Sequence, residues 1–202
     1  MRIVLGLVIV VLTACASTGP LADLAVGPNL PHQISNQGGG MEGHTPRGFA
    51  GSGTGLFAGD DLNPNFPPDD GIQIWLTFQL PFVLPAPEEA MLRSELLDPR
   101  GSPFTDLGTL LAEPIAYDSF DRENFDLAAI GEAVECVRPT AGSVECDVTE
   151  AVRSAIDDSA ARVQFRLKFQ TLTDGDGEPD LARFFRSDPN TNERGIFTLD
   201  LR

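Results

Sequence analysis

Four carboxylates alternate with glycine and proline in one short stretch: Asp174, Asp176, Glu178 and Asp180. Carboxylate oxygens are the ligands that Ca²⁺ prefers, and glycine lets a loop turn around an ion. The spacing is not that of an EF-hand, because Pro179 stands where that loop needs glycine and Phe185 where it needs glutamate. The stretch therefore predicts either a Ca²⁺ site or an ion-free acidic turn between two strands.

Cys136 and Cys146 lie in two stretches that resemble the arms of a β-hairpin. Their separation differs from the Cys-x-x-Cys spacing of redox sites, so a structural disulfide is favoured. If the cysteines are directly opposite, one face of the hairpin is apolar and carries Val134, Val144 and Val148. The same register places Glu135 opposite Asp147, a like-charge pair that either water screens or a cation bridges.

Residues 72–80 alternate with a period of two, which predicts a strand with one face in a core. The apolar face carries Ile72, Ile74, Leu76, Phe78 and Leu80. The other face carries Trp75 between Gln73, Thr77 and Gln79. An exposed indole can stack on a sugar ring while amides bond its hydroxyls, so Trp75, Gln73 and Gln79 are candidate ligand-binding residues. The alternative is that the tether or a crossing loop covers Trp75.

The sequence offers little to an enzyme. Both histidines, His32 and His44, fall in a Gly/Pro-rich stretch, which is a poor framework for a catalytic triad or a zinc site. No phosphate-binding Gly-Lys-Ser/Thr motif is present in the sequence. We therefore expect a noncatalytic protein.

The N-terminus has the order of a secretory signal peptide: Arg2, an apolar run at 3–12, then small residues. Ten apolar residues rise only about 15 Å as a helix, too short to span a bilayer. Leu12-Thr13-Ala14-Cys15 resembles the lipobox of bacterial lipoproteins, which implies a lipid on Cys15 and removal of residues 1–14. Ala16, in place of the Asp that retains many such proteins in the inner membrane, implies the outer membrane. The alternative is a plain secretory signal with an incidental cysteine.

The chain carries 30 acidic and 14 basic side chains. This excess argues against nucleic acid, since phosphate binding depends on Lys and Arg. It also argues against electrostatic docking on anionic lipid. High solubility is the simpler explanation of the charge, and attraction for cations such as Ca²⁺ the other.

Composition divides the chain into three parts. After the signal peptide at 1–14, a Pro- and Gly-rich segment at 15–60 predicts a flexible tether, in which 47–50 or 55–58 could form a short strand. Residues 61–202 carry several short alternating segments separated by turn clusters, with one clear helix for which Thr149 is a good N-cap. This pattern predicts an all-β domain, an antiparallel β-sandwich with one or two short helices.

Three blocks of this domain are similar to the DNRLRE-type domains of bacterial and archaeal envelope proteins. They are the strand at 90–96, the Asp-Val-Thr turn at 147–149 that leads to the 165–169 strand, and the segment 184–188. The resemblance implies a jelly-roll sandwich related to carbohydrate-binding modules. It transfers no catalytic residues.

These observations predict a lipid-anchored lipoprotein of the cell outer membrane. We expect a noncatalytic module that binds a polysaccharide or another envelope component, with Ca²⁺ as a possible ligand. The alternative is a structural or assembly lipoprotein that docks on a protein partner.

Overall fold

The computed structural model describes residues 32–35, 41–44, 48–50, 55–61, 70–81, 84–118, 125–185 and 197–202. Within these ranges the chain forms β-strands and two helices. The strands are β1 His32–Ser35, β2 Met41–His44, β3 Gly48–Ala50, β4 Gly55–Asp61, β5 Asp70–Gln79, β6 Ala90–Arg100, β7 Leu110–Pro114, β8 Val134–Val137, β9 Ser143–Asp147, β10 Arg162–Phe169, β11 Asp180–Phe185 and β12 Phe197–Leu201. The helices are α1 Pro103–Asp106 and α2 Thr149–Asp157.

Every strand pairing in the described ranges is antiparallel. Hydrogen bonds run from β6 through β11, β4, β5, β10, β7, β8 and β9, and return from β9 to β6. The predicted antiparallel, mostly β domain with short helices is confirmed. However, the pairings close a ring of eight strands, whereas a sandwich has two separate sheets.

Two strands of this ring, β6 and β8, change pairing partners along their length. The first half of β6 pairs with β9 and β12, and its second half, from Leu96, pairs with β11. In β8, Val134 and Glu135 face β7, whereas Cys136 and Val137 face β9. Each of the two strands therefore bonds to two different members of the ring, which closes it.

The main core lies inside the ring, and the alternation of β5 supplies much of it. Ile74, Leu76 and Phe78 are fully buried and lie opposite Leu167, Phe165 and Val163 of β10. Phe78 and Phe165 meet edge to face, with ring centroids 6.3 Å apart. The prediction that residues 72–80 form a strand with one face in a core is therefore confirmed.

The sheet begins earlier in the chain than predicted. β1 to β3, and β4 up to its last residue, fall within the segment 15–60 that we expected to be a tether, and β4 pairs with both β5 and β11. Leu56 and Ala58 of β4 are fully buried. The predicted boundary at residue 60 is therefore wrong for β4, although a short strand at 55–58 is confirmed. The signal peptide and Cys15 lie outside the described residues.

Glycine is what lets β4 fit where its composition suggested coil. Gly59 has a φ of +130°, and a Cβ there would lie 1.9 Å from the Asp180 carbonyl oxygen of β11. Only glycine allows this backbone and this approach. Glycine made a strand look unfavourable from composition, yet Gly59 is required for β4 to pack against β11.

Candidate functional site

Cys136 and Cys146 form a disulfide, as the sequence predicts. They are paired across β8 and β9, with Cα atoms 4.2 Å apart. Val144 and Val148 are buried on the same side, and Val134 packs against the core. Glu135 and Asp147 are exposed, so solvent reaches both carboxylates. The alternation of apolar and polar residues in the two arms therefore predicted the β8–β9 register correctly.

The exposed tryptophan surface predicted on β5 is wrong. Trp75 is fully buried and Gln73 is 3% exposed. Ile115, Tyr117 and Phe125 pack with Trp75 in a second apolar cluster, in which the Trp75 and Phe125 rings lie 5.8 Å apart. The alternative, a Trp75 covered by a crossing segment, is the one observed. The indole cannot stack on a ligand in this arrangement.

A polar network continues along the same covered face. The hydroxyl groups of Thr77 and Tyr117 lie 2.7 Å apart, and the Gln164 amide donates a hydrogen bond to Thr77. Burial raises the pKa of the Tyr117 phenol. These contacts hold the segment around Tyr117 against the sheet.

A buried ion pair links β7 and β10 through Glu113 and Arg166. The Arg166 guanidinium donates two hydrogen bonds to the Glu113 carboxylate and one, of 2.9 Å, to the Phe125 carbonyl. Lys168 lies 3.0 Å from the other Glu113 oxygen. Burial favours the protonated form of Glu113, but the hydrogen bonds from Arg166 and Lys168 outweigh it and lower its pKa. Through its hydrogen bond to the Phe125 carbonyl, Arg166 holds Phe125 in place against Trp75.

A large groove opens beside α2, with a volume of about 1370 Å³. We call it the carboxylate-rimmed groove. Its walls come from α2, the end of β7, the approach to β8 and the start of β10. Buried apolar residues line its floor, namely Ala112, Val148, Val163 and Phe165. Of the predicted ligand-binding residues, only Gln79 lines it.

Acidic side chains dominate the rim of the carboxylate-rimmed groove. They are Glu88, Glu89, Asp118, Glu132, Glu135, Asp147, Glu150 and Asp158. The two guanidinium groups that line it already have partners: Arg153 with Glu150 and Arg162 with Asp118. The groove therefore presents a strong excess of negative charge around an apolar floor.

Helix α2 places several of these rim carboxylates. We expected Thr149 to cap this helix, but Val148 occupies the cap position and Thr149 is the first helical residue. Asp147 instead accepts hydrogen bonds from the Thr149 amide and hydroxyl, which lowers the pKa of Asp147. The Arg153 guanidinium donates hydrogen bonds of 2.9 Å to the Pro87 and Glu88 carbonyls. These bonds hold α2 to the segment that precedes β6.

The predicted metal ligands are partly brought together. One carboxylate oxygen each from Asp174, Asp176 and Asp180 lies within 4.8 Å of the others. Glu178 is outside this group, and its backbone amide donates a hydrogen bond of 2.7 Å to the Asp176 carboxylate. Three of the four predicted ligands therefore lie close together, and we call Asp174, Asp176 and Asp180 the acidic cluster.

Asp180 differs from the other two members because it is only 2% exposed. Its Oδ1 accepts a hydrogen bond of 2.5 Å from the Ser102 amide. Its Oδ2 is buried and has no hydrogen-bond donor among the described residues. Burial, together with the charges of Asp106, Asp174 and Asp176, raises the pKa of Asp180.

The histidines do not lie where we expected them. His32 belongs to β1 and His44 to β2, strands that pair with β12 and β5 respectively. The argument that a flexible tether carries them is therefore wrong.

The groove is the feature that sequence reasoning missed. Its lining comes from chain segments between residues 79 and 165, so no local motif marks it. The Asp-Val-Thr turn at 147–149, Gln79, Val134 and Glu135 all line the groove, but the sequence singled them out for other reasons.

Comparisons with known proteins add no family or relative. No protein-family model matches the chain, and no curated protein matches its sequence. The resemblance to DNRLRE-type domains therefore stays a prediction. Among the described residues, no helix has the length and apolar character needed to cross a membrane.

Proposed function

We propose that this protein is a noncatalytic, lipid-anchored binding module of the cell envelope. In this proposal it docks on a cationic segment of a protein partner through the carboxylate-rimmed groove. The observation that carries the proposal is the groove itself, with its volume of about 1370 Å³ and its eight rim carboxylates.

Charge supports a cationic occupant. Both guanidinium groups of the groove are paired within the protein, so a ligand would meet mainly carboxylates. The whole chain carries a net charge of −16, which would add long-range attraction to the local field. A basic segment with apolar residues on one side would match both the rim and the floor.

A glycan is the second candidate ligand, and Gln79 is the observation that favours it. Gln79 is exposed and lines the groove, where its amide can bond sugar hydroxyl groups. Carboxylates such as Glu132 can accept hydrogen bonds from the same hydroxyls. The case is weaker than the sequence suggested, because Trp75 is buried.

The proposed fold is a flattened, jelly-roll-like sandwich. β6 and β8 exchange neighbours halfway along their length, which is how strands form the corners between two packed layers. The proposed anchor is a lipid on Cys15, with sorting to the outer membrane. It rests on the lipobox-like Leu12–Cys15 stretch.

Calorimetric titration can test the docking proposal. The probe is a synthetic 14-residue peptide of alternating Lys and Leu, and the comparison is the same peptide with Glu in place of Lys. We expect only the Lys peptide to bind, and its affinity to fall between 50 mM and 200 mM NaCl, since salt screens exposed charges. A neutral oligosaccharide that binds better than the Lys peptide would favour the glycan instead.

A pair of variants assigns the binding to the groove. Glu132→Gln with Glu135→Gln removes two exposed rim charges and should weaken peptide binding about three- to tenfold. The matched control is Glu95→Gln with Asp157→Asn, which removes two exposed charges outside the groove. Equal losses in both pairs would mean that net charge alone attracts the peptide, and the docking proposal would then fail.

A further inference from the structure

We propose that the acidic cluster of Asp174, Asp176 and Asp180 is a Ca²⁺ site that ties the 174–180 loop to the base of β11. The site shares no residue with the carboxylate-rimmed groove, so it stands apart from the proposed docking function.

The spacing of the three carboxylates fits one ion. Their facing oxygens lie within 4.8 Å of one another. Ca²⁺ binds oxygen at about 2.3–2.6 Å, so two oxygens on opposite sides of one ion lie roughly 5 Å apart. A single Ca²⁺ can therefore reach all three carboxylates with little movement of the loop.

The buried oxygen of Asp180 is a second, separate observation. A carboxylate this deeply buried normally has both oxygens satisfied by donors. Here Ser102 satisfies Oδ1, while Oδ2 is buried without a donor in the described part of the chain. Asp174 and Asp176 bring further carboxylate oxygens, which cannot donate when ionised. A cation is the partner that this arrangement calls for.

The charges around Asp180 are mainly of its own sign. Asp60 of β4 lies directly opposite it in the sheet register and is 1% exposed, and Asp106 of α1 adds to the negative field. Arg100 of β6, which pairs in register with Leu181, has its guanidinium 3.8 Å from Asp61. A divalent cation at the acidic cluster would offset this local excess.

The ligand chemistry selects Ca²⁺ among common metals. All three ligands are carboxylate oxygens, whereas zinc and copper favour nitrogen and sulfur. Asp174 and Asp176 are exposed, so water can complete the six to eight ligands that Ca²⁺ takes. Mg²⁺ requires shorter bonds and a near-octahedral shell, so we expect it to bind more weakly at this loop.

Calorimetric titration of CaCl₂ into the purified protein, stripped beforehand with EDTA, tests the site. We expect one Ca²⁺ per chain, and a Tm that rises with CaCl₂ concentration because the ion binds the folded state. MgCl₂ should give a smaller rise, and NaCl at matched ionic strength should not reproduce it. An absence of binding at millimolar CaCl₂ would overturn the proposal.

Variants in the loop separate a site from general electrostatics. Asp176→Asn removes one exposed ligand and should weaken Ca²⁺ binding by about tenfold or more, a loss of 1.4 kcal/mol per tenfold. Glu178→Gln makes the same charge change two residues away, outside the acidic cluster, and should leave the affinity within about twofold. Equal losses in the two variants would overturn the proposal. Asp174→Asn repeats the test without altering the buried Asp180.

Discussion

At the scale of single residues, the structure predicts that removing the Glu113 carboxylate strongly destabilises the protein. Its carboxylate is 8% exposed and is held by Arg166 and Lys168. Removing one partner of a buried ion pair leaves the other charge uncompensated, which costs about 3–5 kcal/mol. We expect Glu113→Ala to lower the free energy of unfolding by this amount in urea titrations. Glu89→Ala, which removes an exposed pair with Arg202, should cost less than about 1 kcal/mol.

Acid should weaken the same contact. The pKa of Glu113 in the folded state lies below its ordinary value of 4.5, so the unfolded chain takes up the proton first as the pH falls. The stability from this group is complete above that ordinary value, and is lost as the pH falls through the folded-state pKa. The difference in unfolding free energy between the parent protein and Glu113→Gln should therefore shrink from pH 7 to pH 3. A difference that stays constant with pH would contradict the lowered pKa.

A third residue-scale prediction concerns Gly59 of β4. A Cβ there would overlap the Asp180 carbonyl, and its φ of +130° is one that side chains rarely allow. We expect Gly59→Ala to destabilise the protein by more than about 3 kcal/mol in urea unfolding. The matched control is Gly142→Ala, where the added Cβ would meet only a carbonyl oxygen at 3.8 Å. A mild effect at Gly59 would mean that β4 and β11 can separate.

Which residues could be predicted from sequence depends on how far away their neighbours lie. The partner of Cys136 is ten residues along the chain, and local alternation sets the register. Trp75 is covered by residues 40 or more positions later, such as Ile115 and Phe125. A period-two pattern shows which side of a strand is apolar. It does not show that the other side is exposed, because a distant segment can cover a side that carries Gln and Thr.

At the scale of elements, the disulfide joins β8 and β9 where β8 leaves its pairing with β7. Cross-linking residues ten positions apart reduces the entropy of the unfolded chain, and stabilises by about 2–3 kcal/mol. We expect Cys136→Ser with Cys146→Ser to lower the unfolding free energy by this amount. Reductant should destabilise the parent protein and leave the double variant unchanged. If the parent protein is equally stable in reductant, the disulfide contributes nothing.

β4 shows why the domain boundary could not be located from composition. Its seven residues include glycine at both position 55 and position 59, in a tract that is rich in glycine throughout. Such composition favours coil because glycine gains most freedom when unfolded. Two antiparallel neighbours, β5 and β11, supply the hydrogen bonds and the buried contacts that overcome this cost. β11 is distant in sequence, and neither neighbour can be recognised from the composition of the tract itself.

At the scale of the whole molecule, acidic side chains form two different arrangements, the carboxylate-rimmed groove and the acidic cluster. The carboxylate-rimmed groove exposes its acids around an apolar floor, whereas the acidic cluster includes the buried Asp180. The net charge of −16 left attraction for cations as the alternative to high solubility, and it could not distinguish these two arrangements. The two arrangements differ only once the sheet has formed, because the fold brings together segments that are distant in the sequence. The two proposals can therefore fail independently.

The anchor is the last feature at this scale, and it determines where the domain acts. Two or three acyl chains on Cys15 would hold the protein firmly at a membrane, since a single chain binds only reversibly. We expect Cys15→Ala to move the protein from the membrane pellet to the soluble fraction, while its melting temperature stays unchanged. Cys136→Ser is the matched control, because it loses a cysteine of the folded domain and should remain in the pellet. A Cys15→Ala protein that stays membrane-bound with residues 1–14 attached would show that the N-terminal segment itself is the anchor.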